Sequence, residues 1–409
     1  MENRVYGFRV RQARTLRGRP SGDLAKAVGW SPSKLSRVEG GGITDVNDAD
    51  FEVLVKELRY PPQFFITDGL NLRGEDLLFR APKSTPKRER QFLADFAAVT
   101  GDMLTWLDQH HRLPNVTIPA ADLFSGRSGS MRDYRDIAEL ARRAREALRI
   151  DPGVPAPYLT YELERAGIAV VVRGRRPSDD PDAWDTDAAF SEKHLGYSIW
   201  VGDHRDRPAI VARALDSWER TRWTLAHELG HLVLHTDASA EFVEDEASLF
   251  ASEFLAPLDV IRFELPKVLT LSGLIPIKLK WGISLYALLR HLLRADLVSE
   301  DRYKSMTDQL HVRKNPDTGR TWRRDEPGWD ARDPERPALI RTWLERCIGT
   351  SDPNALQLMS ERWPADFFEE VLATQRATAR RVSPVPLKQP APTSAPVVNL
   401  MDRRRRASG

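Results

Sequence analysis

Cysteine is almost absent from this chain: Cys347 is the only one in 409 residues. That excludes an internal disulfide framework and any cysteine-rich zinc site, so a bound metal must be held by histidines and carboxylates. Long apolar runs are also missing. Nothing approaches the roughly 18 consecutive apolar residues that cross a bilayer, and the start, MENRVYGFRVRQAR, has no apolar signal-peptide segment. A cytoplasmic protein with no membrane partner is the expectation. Charge of one sign is scarce in sum, with 61 Lys+Arg against 59 Asp+Glu and a net charge of +2. The balance hides a segregation, because residues 1–37 hold nine basic and two acidic side chains. Such a basic segment suits phosphate binding.

The length suggests two or three domains at roughly 150 residues each. Residues 4–58 read as short helices with tight turns, burying Tyr6, Val10 and Ala13, then Leu24, Ala25 and Val28, then Leu35 and Val38, then Phe51, Leu54, Val55 and Leu58. Gly29 reads as a C-terminal glycine and Ser31-Pro32 as an N-cap with proline at the first helical position. Beyond a connector, a helix over 133–148 precedes an extended run from Ile168 to Val172. After an acidic loop rich in aspartate (179–187) comes a second extended run, LGYSIWVG. Helices follow at about 218–235 and 241–256. Residues 266–312 read as a helical unit with Gly273 and Pro276 as breakers, and the chain ends in a Pro-rich stretch with Arg403–Arg406.

The chemistry concentrates in RTRWTLAHELGHLVLH. On a helix, His227 and His231 project from one face and can share a metal ion, and Glu228 can reach a metal-bound water. On the next helix, Ala247, Phe250, Ala251 and Phe254 form the inward stripe. Glu244 extends that stripe by one turn, whereas Glu246 and Glu253 fall on the opposite, solvent side. A carboxylate among apolar residues needs a cation. His227, His231 and Glu244 are therefore the expected ligands of a Zn2+ ion whose fourth position is left for water, with Glu228 as the catalytic base of amide hydrolysis. His235 reads as a partly buried structural histidine, with a ligand role as the alternative. Asp237 and Asp245 read as helix-start acids or as groups orienting a histidine. Gly230 points to close approach of another backbone, LGYSIWVG being the candidate.

These two stretches, RTRWTLAHELGHLVLH and EDEASLFASEFLAP, resemble the ImmA/IrrE family of metallopeptidases, with Ser248 and Ala256 departing from the family's usual Asn and Met. The resemblance implies the same ligands and base. SGDLAKAVGWSPSKLSRVEGG resembles the helix-turn-helix of the XRE family, with Ser21 in place of a common Gln. It implies double-stranded DNA as a partner, with Ser33, Lys34 and Arg37 at the groove and Arg14 on backbone or in packing. A homodimer reading paired half-sites is one arrangement it leaves open. Trp281 and Ser284 in KWGISLYALLRHLL read as core and N-cap residues.

The expected fold is mainly α with a small α+β domain. An N-terminal helix-turn-helix bundle (1–68) leads through a helical connector (69–130) to a zincin-like metallopeptidase domain with a short sheet (131–265). A helical C-terminal region (266–380) and a disordered tail (381–409) follow. The function these parts suggest is a DNA-binding transcriptional regulator whose zinc endopeptidase cleaves a repressor or antitoxin-like protein. Two alternatives stand beside it: a non-proteolytic regulator that uses the zinc domain as sensor or dimerisation module, and an antitoxin-type partner.

Overall fold

The computed structural model describes residues 2–73, 87–118, 131–173, 196–202, 204–213, 217–235, 242–349, 359 and 361–373. The expected tail, the aspartate-rich loop, Asp237 and parts of the connector lie outside these residues. The chain is mostly helical with two small sheets. No helix among the described residues is long and apolar enough to cross a membrane.

The N-terminal part opens with strand β1 (Glu2–Tyr6), which pairs antiparallel with β2 (Ile43–Asn47). Between them lie α1 (Gly7–Leu16), α2 (Ser21–Val28) and α3 (Pro32–Gly40), and after them α4 (Asp48–Leu58) and α5 (Pro62–Ile66). Gly29 ends α2 at φ 73°, a left-handed backbone that glycine adopts without steric cost. Ser31 caps α3 by accepting from the Lys34 amide, and Pro32 fills the first turn. Helices α1 and α3 meet at Gly7, where a Cβ would lie 1.8 Å from the Val38 carbonyl oxygen. Val10 and Ala13 are buried as expected. Tyr6 is only half-buried, because it ends β1 and the flanking Val5 and Phe8 turn into the core instead.

Helix α6 (Lys87–His110) is interior along most of its length. Three ion pairs tie the N-terminal part down: Arg9 with Asp102 and Arg11 with Asp95 on α6, and Arg17 with Asp366 far along the chain. One continuous apolar core runs from the N-terminal helices through α6 to one face of the second sheet. It also takes in α15 (Leu339–Ile348) and α16 (Ala365–Ala373).

That second sheet has the order β3 (Ala169–Arg173), β5 (Arg207–Arg213), β4 (Gly196–Val201). Strand β5 runs parallel to β3 and antiparallel to β4. The expected strands are β3 and β4; β5 between them is an addition, a short apolar run starting at Arg207-Pro208. The opposite face of the sheet packs on α7 (Tyr134–Ala147), α8 (Leu159–Arg165), α9 (Trp218–Leu234) and α10 (Val243–Leu255).

A third core joins the short α11 (Leu258–Ile261) to α12 (Leu271–Trp281), α13 (Leu285–Arg294) and α14 (Glu300–Val312). Here Gly273 and Pro276 do not break the chain as expected. They lie inside α12, whose N-cap Thr270 accepts from the Gly273 amide; Pro276 is in the second turn, where its missing N–H costs at most one bond. Trp281 is fully buried and Ser284 caps α13, as the sequence suggested.

Candidate metal centre

Helix α9 is fixed by charge as well as by packing. Glu219 in its first turn meets Lys278 of α12 at 2.5 Å, and Arg222 meets Glu335 at 2.6 Å, all four side chains being buried. Breaking one partner of such a pair would leave a charge stranded in the interior. One face of α9 then presents Trp223, His227 and His231 in successive turns, Trp223 stacking on His227 with centroids 4.9 Å apart and an interplanar angle of 27°.

The second helix of the site, α10, lies directly against α9. Gly230 makes this possible, but not through LGYSIWVG. A Cβ there would stand 3.0 Å from Phe250 Cδ1 and 3.2 Å from Ala247 Cα, so the approaching backbone is that of α10. Strand β4 touches α9 elsewhere: a Cβ at Gly196 would come within 2.8 Å of Thr224 Cγ2 and 3.3 Å of Glu228 Cγ. Among the described residues β4 is an edge strand, and its first residue therefore rests on the glutamate of the motif.

The first turn of α10 carries three consecutive acids, about 100° apart around the helix, and each meets a different element. Glu244 turns to α9, its Oε2 3.3 Å from His227 Nε2 and its Oε1 3.4 Å from His231 Nε2. Asp245 holds both Arg290 and Arg294 of α13, which makes it a tether between helices. Glu246 holds Arg132 and accepts from His235 Nε2 at 3.1 Å. Three negative charges at a helix N-terminus also complement its dipole.

Two expectations about these acids need correction. Glu246 and Glu253 are buried, not on the solvent side, because polar groups distant in sequence meet them. Glu253 takes the Tyr134 hydroxyl and the Leu258 amide, with His291 Nε2 at 3.5 Å. Glu244, expected within the apolar stripe, is half-exposed at the mouth of the helix pair, yet it aims at the two imidazoles. His235 is fully buried and shares a hydrogen bond with His231, Nδ1 to Nδ1 at 3.0 Å.

His227, His231 and Glu244 form a group whose ligand atoms all lie within 4.8 Å of one another. Burial lowers the His231 pKa to about 3, so its ring is neutral and one ring nitrogen carries a lone pair that can meet a cation. For Glu244, partial burial acts to raise the carboxyl, but hydrogen bonds to His227 and His231 outweigh it and hold the group below the usual glutamate range. Two imidazoles and a carboxylate on two rigid helices fit a divalent metal of borderline softness. Glu228, next to His227 in the chain, is buried against the first residue of β4.

The residues expected at DNA lie elsewhere. Ser33, Lys34 and Arg37 are exposed on the outer face of α3. Lys34 also lies over the Trp30 ring and 3.4 Å from Asp50. Arg14 is not part of that face: its guanidinium makes a two-pronged pair with Glu39 at 2.6 and 2.7 Å and bonds the Arg19 carbonyl.

No curated protein matches this chain. Over residues 187–292, a stretch that contains His227, His231, Glu228 and Glu244, the chain matches the IrrE N-terminal-like domain, Peptidase_M78, which supports a metallopeptidase-type domain there.

Proposed function

We propose that this chain is a DNA-binding regulator with a zinc-dependent endopeptidase domain that cleaves one specific regulatory protein, repressor-like or antitoxin-like, in a stress or mobile-element response. The observation that carries the peptidase half is the convergence of His227, His231 and Glu244 beside Glu228, within the stretch that matches the IrrE N-terminal-like domain. His227, His231 and Glu244 would hold the ion. Zinc, when bound, supplies a Lewis acid that acidifies its water and polarises the scissile carbonyl.

The chain's own residues do the rest. Glu228 takes a proton from the attacking water and passes it to the leaving amine. Among the described residues β4 is an edge strand, and beside Glu228 a substrate segment can lie extended along it.

The DNA-binding half rests on the resemblance of residues 21–41 to the XRE helix-turn-helix and on the exposed Ser33, Lys34 and Arg37 of a capped helix. Cells carrying wild type and Glu228→Gln, compared by quantitative proteomics, test the reading. One protein or a very few should persist in the variant and disappear with the wild type after induction. Identical proteomes would argue for a purely DNA-binding role.

A further inference from the structure

A cavity of about 620 Å3 opens between α9, α10, α13 and the segment 323–329. Sites for bound molecules run roughly from 300 to 1,000 Å3. Its wall on α9 includes Trp223 and Thr224. Trp223 is the ring stacked on His227, and Thr224 is the residue on which Gly196 of β4 closes. The cavity thus begins one ring away from a candidate metal ligand and next to the strand edge.

Its charge is one-sided. Arg220, Arg290, Arg294, Arg323 and Arg324 line it. The two acids in the lining are engaged elsewhere: Glu219 bonds Lys278, and Glu326 accepts the Leu285 and Tyr286 amides with Lys278 at 4.0 Å. Asp245 is a single carboxylate serving both Arg290 and Arg294. Arg220 donates to the carbonyls of Arg323 and Arg324, and Arg323 lies over the Tyr286 ring at 4.0 Å. These contacts hold guanidinium groups in place, and the one Asp245 carboxylate offsets only one of the two charges it meets. Three buried polar atoms of lining residues, Trp223 Nε1, Thr224 Oγ1 and His291 Nδ1, have no hydrogen-bond partner among the described residues. The unmet donors among them, the Trp223 indole N–H and the Thr224 hydroxyl, favour in a basic cavity a ligand that brings its own oxygens.

We infer that this cavity is the specificity pocket of the peptidase and takes acidic side chains of the substrate segment flanking the scissile bond. Its lining residues Trp223, stacked on His227, and Thr224, against Gly196 of β4, favour a peptide over a free anion. The inference rests on the peptidase reading, and the test separates the two.

Full-length, zinc-loaded Glu228→Gln is titrated with a fluorescein-labelled peptide pool of mixed sequence carrying a central Glu-Glu pair, and with the same pool carrying Gln-Gln. Anisotropy should show the Glu pool binding about tenfold tighter, as charge-assisted hydrogen bonds permit. The double variant Arg323→Gln/Arg324→Gln in the same background should bring the Glu pool close to the Gln pool. Equal binding of the two pools, or a preference undiminished in the double variant, overturns the inference. So does competition by inorganic phosphate with no preference between the pools, which marks a small-anion site. In a second arm, wild type is incubated with both pools and products are read by mass spectrometry. Preference without any cleavage leaves acidic recognition standing, and the peptidase reading is then decided separately by the proteomes of wild type and Glu228→Gln cells.

Discussion

His231 and His235 face each other Nδ1 to Nδ1 at 3.0 Å, and this contact fixes the direction of a proton chain behind the candidate metal centre. If His231 offers its Nε2 lone pair to a metal, its proton sits on Nδ1 and is donated to His235 Nδ1. His235 then carries its own proton on Nε2 and donates it to Glu246, 3.1 Å away. Glu246 is in turn held by the Arg132 amide and guanidinium, at 2.6 and 2.5 Å. Every member has one consistent role, and the chain orients His231 while raising its basicity.

His235→Ala should therefore weaken zinc binding by about 10- to 100-fold, the usual effect of removing the group behind a ligand histidine. Glu246→Gln should weaken it less, since an amide oxygen still accepts from His235 but brings no charge. Competition with a chromophoric chelator measures both. Unchanged zinc affinity in His235→Ala would remove this chain from the account.

Arg14 and Arg37 separate folding from DNA binding. Arg14→Ala strands the largely buried Glu39 carboxylate and should cost about 1–3 kcal/mol, read as a lower unfolding midpoint. Arg37→Ala on the exposed face of α3 should leave stability within about 0.5 kcal/mol. It should weaken DNA binding and reduce the slope of log K against log salt by about one if it meets a phosphate. A full salt slope in Arg37→Ala would argue that α3 does not face DNA.

Much of this architecture was legible because it is local. The i, i+4 spacing of His227 and His231, the Ser31-Pro32 start of α3 and the Gly29 stop of α2 are decided by neighbours in sequence, and the structure has them as read. Glu246 and Glu253 were misplaced because their partners, Arg132, Tyr134, His235 and His291, come from other elements that periodicity within one helix does not include. Strand β5 was missed since a seven-residue run opening with Arg-Pro gives little signal until β3 and β4 flank it. Pro276 was taken for a stop because sequence alone does not show that the Thr270 cap places it early in a helix. The orienting role of His235 had a signal, a third histidine at four-residue spacing, but its partner Glu246 had been assigned to solvent.

Glu253 and His291 make opposite contributions to stability across pH. Burial raises the Glu253 pKa from 4.5 to about 7, so its contribution is present below 4.5 and is lost as pH rises through about 7. Burial lowers the His291 pKa from 6.5 to about 4, so its contribution is present above 6.5 and is lost as pH falls through about 4. Between pH 4.5 and 6.5 the two slopes oppose. Glu253→Gln removes one of them, and stability of the variant should rise with pH in that window more steeply than that of wild type. The difference accumulates to at most on the order of 3 kcal/mol. Urea midpoints at several pH values between 4.5 and 6.5 measure it; parallel curves would contradict the protonated state of Glu253.

The central claim is that three side chains on α9 and α10 hold a catalytic zinc served by Glu228. Zinc content of the purified full-length chain, measured by inductively coupled plasma mass spectrometry after dialysis against buffered trace zinc, tests it most directly. Wild type and Glu228→Gln should each carry close to one zinc per chain, while His231→Ala and Glu244→Ala, folded by circular dichroism, should carry little. Equal zinc in the ligand variants, or none in the wild type, would contradict the account.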